Sequence, residues 1–358
     1  DLKLQGEWIE LANDWAYMLP MVEMAQNPVW LSKVLYLHEP STSRPIEEKA
    51  AREKIISRIV AKPSYRGERQ PTPQVTVLCY HRIFDQFPDV GADALYSHQG
   101  MAVTTSTVRK QLTCALREYE PVRVADLLAA QRGELSLPER ALLVTVDDGY
   151  RDFAAYGLPL MLHAGIEPVL FVRRPAADGW PLWAPLDLLY VGRGLIGESK
   201  PFPDPTWRAR FLDLPLDRQF DEVEKVIGKP ASQLENERRA LYLSETELRS
   251  LSGAVLGCHG VNHVHWTNLD NAALDETLSG CRSWLHEMGE TRLVAAYPDG
   301  AVNGKVAASL AQHGFEAAFA INRPADAVSP AFAWRRIIMR NDPEQLTNTF
   351  LIGREDVA

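Results

Sequence analysis

From residue 74 onward, apolar and polar positions alternate between two rhythms. Residues 75–80 and 141–146 are short, nearly continuous apolar runs with several β-branched residues, as in strands buried on both faces. Residues 168–172, 293–296, 317–321 and 334–338 repeat that character, and 121–124 reads as a further short strand. Between them, residues 105–118, 125–131, 153–164, 271–288 and 304–313 read as helices. Such βαβα alternation predicts an α/β fold with a parallel sheet or barrel.

Two stretches fall outside that rhythm. Residues 7–37 mix aromatics, Leu and Met at helical spacing, broken at Pro20 and Pro28, and residues 46–60 form an amphipathic pattern with charges paired four apart. Residues 62–73, rich in Pro and charge, read as a linker. The expected division is a helical extension over 1–70 and a main domain over 71–350. The extension either packs on that domain or docks a second copy as a homo-oligomer. Residues 174–250 make one connection much longer than a strand–helix–strand passage needs, and read as an inserted, partly helical lid. Trp180 and Trp183 flank Pro181 there, so their rings are expected at the barrel mouth, suited to a sugar face, with core packing as the alternative.

Composition narrows the function. The 358 residues are 46% hydrophobic and 24% charged, enough for a large core. A net charge of -9 and a pI near 5.6 oppose nucleic acid or an anionic membrane as partner. No apolar run reaches the roughly eighteen residues of a membrane span. Four scattered cysteines suit free thiols better than a disulfide framework. The retained sequence holds nothing like a signal peptide, which favours a cytoplasmic location, although the chain begins at Asp1 and a leader could precede it.

Chemistry concentrates at two places. The run ending at Thr145–Val146 delivers Asp147 and Asp148 to a strand end, and Gly149 lets the backbone turn. Adjacent carboxylates at the mouth of an apolar strand are costly without a cation, although a solvated turn would also carry them. About a hundred residues later, His259 and His263 stand four apart, so that on a helical turn both imidazoles would face one side. One Asp and two His make a plausible zinc set with coordination positions left open. Gly192–Gly197 matches G-x-G-x-x-G, but the proline-rich segment after it cannot open a helix, so a dinucleotide is not expected. Neither G-x-S-x-G nor a Walker motif occurs.

These residues also carry a family resemblance. Thr145-Val146-Asp147-Asp148-Gly149 resembles the Thr-Phe-Asp-Asp-Gly motif of polysaccharide deacetylases, the NodB homology domain of carbohydrate esterase family 4. His259-Gly260-Val261-Asn262-His263 is similar to that family's His-Ser/Thr-x-x-His, with Gly260 in place of the hydroxyl residue. Ala296-Tyr297-Pro298-Asp299-Gly300 is similar to Ala-Tyr-Pro-Tyr-Gly, with Asp299 replacing the aromatic, and Leu78-Cys79-Tyr80-His81 is a fourth match. The resemblance spans roughly residues 74–342. It implies a distorted (β/α) barrel that removes N-acetyl groups from amino sugars, in a polysaccharide, an oligosaccharide or a glycosylated metabolite. It further implies that Asp148, His259 and His263 bind a divalent metal, most plausibly Zn²⁺, with Asp147 as general base and His81 as general acid. Arg336 would pair with Asp147, and the segment at Tyr297 and Pro298 would line the site, the Tyr297 amide helping to hold the oxyanion. Trp183 is the candidate sugar platform. Alternatives are a deacylase of a small metabolite and a carbohydrate-binding module that has lost activity, which the changes at Gly260 and Asp299 would fit.

Overall fold

The computed structural model describes residues 3–4, 7–8 and 74–346, except 205 and 322–327. Chain contacts divide it into two units, Asp1–Thr72 and Pro73–Ala358. In the first, β1 (Lys3–Leu4) and β2 (Glu7–Trp8) form a short antiparallel ladder, so Glu7–Trp8 is extended where the apolar spacing predicts helix. The rest of residues 9–37 and all of 46–60 lie outside the described residues.

In the second unit the apolar runs pair with one another. β3 (Gln74–Tyr80) and β7 (Arg140–Asp147) run parallel along their whole length, Val77 beside Leu143 and Tyr80 beside Val146. β7 continues to β8 (Val169–Val172), β9 (Val255–Cys258), β10 (Val294–Ala296), β11 (Ala317–Ala320) and β12 (Trp334–Ile338), all parallel. β12 then pairs with β3, Arg336 opposite Val77, and a 7-strand parallel barrel closes. Between β3 and β7, a two-stranded parallel sheet of β4 (Arg82–Phe84) and β5 (Ala102–Thr104) lies just past the end of β3. The remaining strand, β6 (Glu120–Pro121), adds to the first half of β7. It is shorter than the predicted 121–124: the Arg123 amide donates to Asp126 Oδ2 at 3.0 Å and the chain turns into the helix Val124–Gln131.

Alternation along each strand divides the core. Leu142, Val144 and Val146 join the cluster that holds the helix residues Val108, Leu112 and Leu278. Leu143 packs instead with Val77, Phe171 and Phe319. Asp147 shares the parity of Leu143 and Thr145 and is therefore delivered with them. β9 carries no clear sequence signal, because two of its four residues are Gly257 and Cys258. Gly257 is needed there: a Cβ would lie 2.5 Å from the Phe171 ring.

The insertion builds a core of its own. Helices Pro185–Leu195, Trp207–Leu212 and Leu216–Ile227 bring Leu188, Trp207, Phe211 and Val223 together with Tyr96 and Tyr150. Gly192 and Gly194 lie inside the first helix, where any side chain would meet Ile227 or the Ala92 backbone. The glycine pattern thus serves close helix packing. No helix among the described residues is long and apolar enough to cross a membrane.

Candidate metal centre

Parallel strands in register end at one rim, and the candidate residues follow those ends. At the end of β7 the chain passes through two left-handed residues, Asp148 (φ 74°) and Gly149 (φ 72°). Asp tolerates that conformation better than most residues because its side chain is short and polar. The Gly149 carbonyl accepts from the Leu243 amide at 2.9 Å, pinning the turn against the returning insertion.

His259 follows β9, and its position is set by a main-chain partner. Its Nδ1 lies 2.9 Å from the Ala296 carbonyl oxygen, an acceptor, so Nδ1 carries the proton and the Nε2 lone pair is free. His263 reaches the same place by a route that differs from the expected helical turn. Residues 259–263 are a loop, reversed by Gly260 (φ 80°) and by His263 itself (φ 58°), and the two rings stand 4.9 Å apart. Gly260 replaces the family's hydroxyl residue for a local reason: a Cβ would sit 2.9 Å from Trp266 Nε1.

These three side chains meet around one oxygen. Asp148 Oδ1 is 3.7 Å from His259 Nε2 and 3.6 Å from His263 Nε2. It is buried and accepts no hydrogen bond. A buried carboxylate oxygen that accepts no hydrogen bond and faces two imidazole nitrogens is costly by itself, and a cation between the three groups would satisfy it. The donor set, one carboxylate and two imidazoles, suits Zn²⁺ or a similar divalent ion. Burial would raise the Asp148 carboxyl, but His263, His259 and Arg173 outweigh it and hold the group low, hence ionised. Burial pushes His259 down to about 4 against the pull of Asp147 and Asp148, so its imidazole is neutral at ordinary pH, as a ligand must be.

Asp147 has a different set of neighbours. Arg336 grips it with two bonds, Nη1 to Oδ1 at 2.6 Å and Nη2 to Oδ2 at 2.8 Å, both residues being buried. Of the two arginines on β12, Arg335 is exposed and Arg336 points inward. Burial alone would raise the Asp147 carboxyl; Arg336, then His259 and His81, hold it well below the usual carboxylate range. His81 Nε2 lies 3.9 Å from Asp147 Oδ2, because β3 and β7 end level. Cys79 also approaches, its Sγ 3.5 Å from Oδ2, and burial keeps it a thiol.

Three expected contributors do not supply the groups expected of them. The Tyr297 amide donates to the Phe319 carbonyl at 3.1 Å, so it has no free N–H for an oxyanion, and its hydroxyl donates to the Phe332 carbonyl. Its ring packs edge-on to Trp266 in the outer core, the face that strand alternation assigns it. Pro298, buried beside it, has no N–H to offer. Trp183 is 4% exposed and packs on Tyr242 in the core of the insertion, so core packing replaces the sugar platform.

Further charged side chains surround the centre. Arg173, following β8, is fully buried, 3.9 Å from Asp148 and 3.7 Å from Asp187 of the insertion, with its guanidinium over the Tyr242 ring. Asp187 in turn accepts from the hydroxyls of Tyr96, Tyr150 and Tyr242. Asp299 (φ 51°) accepts from His265 at 3.0 Å and from Arg208 at 2.8 Å. The position of Asp299 inside a family motif was the available signal for that group. Arg173 and Arg208 are ordinary charged residues in their local sequence.

Fold and site together define a parallel (β/α) barrel with a one-carboxylate, two-imidazole cluster at its strand ends. Residues 218–318 match the family model described as polysaccharide deacetylase, a stretch that includes both histidines and the Tyr297-Pro298 segment. Poly-beta-1,6-N-acetyl-D-glucosamine N-deacetylase of Escherichia coli K12 is 32% identical over 122 residues, which is 33% of this chain and 15% of that relative. The chain thus spans a small part of that relative's length. IcaB from Ammonifex degensii superposes with a TM-score of 0.48 at 16% identity, covering 77% of this chain and 96% of that one. For the Streptococcus pyogenes deacetylase PplD, in complex with acetate, the values are 0.46, 17%, 78% and 99%. Over residues 218–318 the chain is therefore similar to the polysaccharide deacetylase family.

Proposed function

We propose that this protein is a divalent-metal-dependent amide hydrolase that removes the acetyl group from an N-acetylated amino sugar. The observation that carries the reading is the pair of carboxylates at the end of β7. Asp148 Oδ1 is buried without a hydrogen bond and faces two imidazoles, whereas Asp147, one residue earlier, is held ionised by Arg336. Asp148, His259 and His263 would hold the ion, Zn²⁺ being the best match to the donors. A divalent ion bound there supplies Lewis-acid polarisation of the acetyl carbonyl and a more acidic water. Asp147 is close enough to the cluster to take a proton from the attacking water, with Oδ2 4.0 Å from His259 Nε2. Because Arg336 also holds Asp147, the base cannot swing onto the ligand cluster. His81, with Nε2 3.9 Å from the same Asp147 oxygen, would return a proton to the departing amine. Gly260 and Asp299 each have a local physical reason, which weakens the reading of a decayed binding module.

The name of the Escherichia coli relative makes β-1,6-linked N-acetylglucosamine the first substrate class to try. The test is metal content of the purified protein, followed by acetate release from N-acetylglucosamine and its β-1,6 oligomers. Stoichiometric metal and chelator-sensitive acetate release are expected. Stoichiometric metal retained by both His259→Ala and His263→Ala would overturn the ligand assignment. Absence of acetate release from metal-loaded protein across the panel would overturn the activity.

A further inference from the structure

Each imidazole of the cluster has two nitrogens, and the outer one needs a partner. His259 uses the Ala296 carbonyl. His263 faces Asp148 with Nε2, and its Nδ1 lies 3.9 Å from Asp299 Oδ2. His263 is therefore set between two carboxylates. Asp299 is mostly buried, and its other oxygen accepts from Arg208, a half-exposed residue on the insertion helix Trp207–Leu212. His265 Nε2 takes the same Oδ2 at 3.0 Å. Among the described residues, the non-glycine residues with positive φ are Asp148, His263 and Asp299, and all three belong to this line of contacts. Strained backbone of that kind persists where surrounding contacts demand it.

We propose that Asp299 is a positioning residue for the metal ligand His263, and that Arg208 ties this outer carboxylate to the insertion. The inference rests on the metal reading above. An outer carboxylate favours the Nδ1–H tautomer, aims Nε2 inward and makes the imidazole a stronger donor. The aromatic residue of the family motif has no charge to do this with. Arg208 holds Oδ1, leaving Oδ2 turned toward the two histidines. On this account the change at Asp299 is a gain of function at the centre, and the insertion contributes to it.

The test is metal affinity, measured by chelator competition on the full chain. Asp299→Asn keeps the short polar side chain that suits a left-handed residue, yet carries no charge. It should bind metal about 10–100-fold more weakly than wild type. Arg208→Ala removes a partly exposed ion pair and should cost about fivefold at most. Equal affinities for wild type and Asp299→Asn would overturn the proposal. Equal losses in Asp299→Asn and Arg208→Ala would also overturn it, because Asp299 would then merely anchor the insertion. A wild type that binds no metal defeats the metal reading instead, and is recognised before any variant is made. Should Asp299→Asn fail to fold, ¹⁵N shifts of His263 in the zinc-loaded wild type decide: zinc on Nε2 with Nδ1 protonated is expected, and zinc on Nδ1 overturns the proposal.

Discussion

Replacing Arg336 with Met tests the acid–base half of the site most directly. Met has similar length but no charge, so Asp147, 2% exposed, is left as a buried carboxylate without its bidentate partner. Breaking one side of a buried pair costs about 3–5 kcal/mol, because the surviving charge is uncompensated. For a domain of this size that is a fall in Tm of roughly 6–10 °C. Asp147→Asn/Arg336→Met removes both charges of the pair, and should recover on the order of 3 kcal/mol relative to the sum of the single variants.

The pH dependence has a definite sign. In wild type the folded Asp147 titrates below the usual range, so its contribution to stability is present above about pH 4 and is lost as pH falls further. With Arg336 gone, burial becomes the leading influence and the folded carboxyl titrates higher than in wild type. The gap in stability between wild type and Arg336→Met should therefore be widest at neutral pH and narrow toward acid. The same shift should move the acidic limb of kcat/KM upward, since a base that titrates higher is protonated at higher pH. Thermal melts across pH 4–8 and a pH–rate profile of both proteins supply the data. An unmoved acidic limb, or a double variant no more stable than additivity predicts, would refute the reasoning.

Other residues give shorter tests. Asp147→Asn should keep its metal and lose roughly 10²–10⁴-fold in kcat, whereas Asp148→Asn should lose metal affinity; exchanged phenotypes would reverse the two roles. Metal-free protein should lose about 3 kcal/mol as pH falls from 6.5 to 4, because folded His259, with a pKa of about 4, excludes a proton that the unfolded chain binds. Urea midpoints should show that slope in wild type and less of it in His259→Asn; equal slopes would contradict it. Gly260→Ser restores the family residue but strains a φ of 80° and presses on Trp266, so it should cost roughly 1–3 kcal/mol and weaken metal binding. An unchanged Tm would show that the loop accommodates a side chain. Tyr297→Phe should cost about 1 kcal/mol through its lost bond to Phe332 and leave kcat unchanged; a large fall in kcat would return Tyr297 to the site.

The sequence by itself determined the local elements and most of the chemistry. Runs such as 141–146 are buried on both faces, so their apolar character is continuous and their strand identity shows without a partner. The adjacency of Asp147, Asp148 and Gly149 needs no long-range contact, and neither does the spacing of His259 and His263. Only the tertiary structure decided what those groups face. Arg336 and Asp147 are 189 positions apart and meet because β12 pairs with β3 in a register that points Arg336, and not Arg335, inward. His81 reaches Asp147 because β3 and β7 close the barrel with their ends level. Tyr297 is excluded by the same rule, since its strand parity and the Phe319 carbonyl commit it to the outer core. The histidines converge through the left-handed turns at Gly260 and His263, which helical spacing does not anticipate. Arg173, Arg208 and Asp187 were unreadable for a general reason. Local periodicity reports whether a position is buried, but the role of a charge depends on the charges brought beside it from distant parts of the chain.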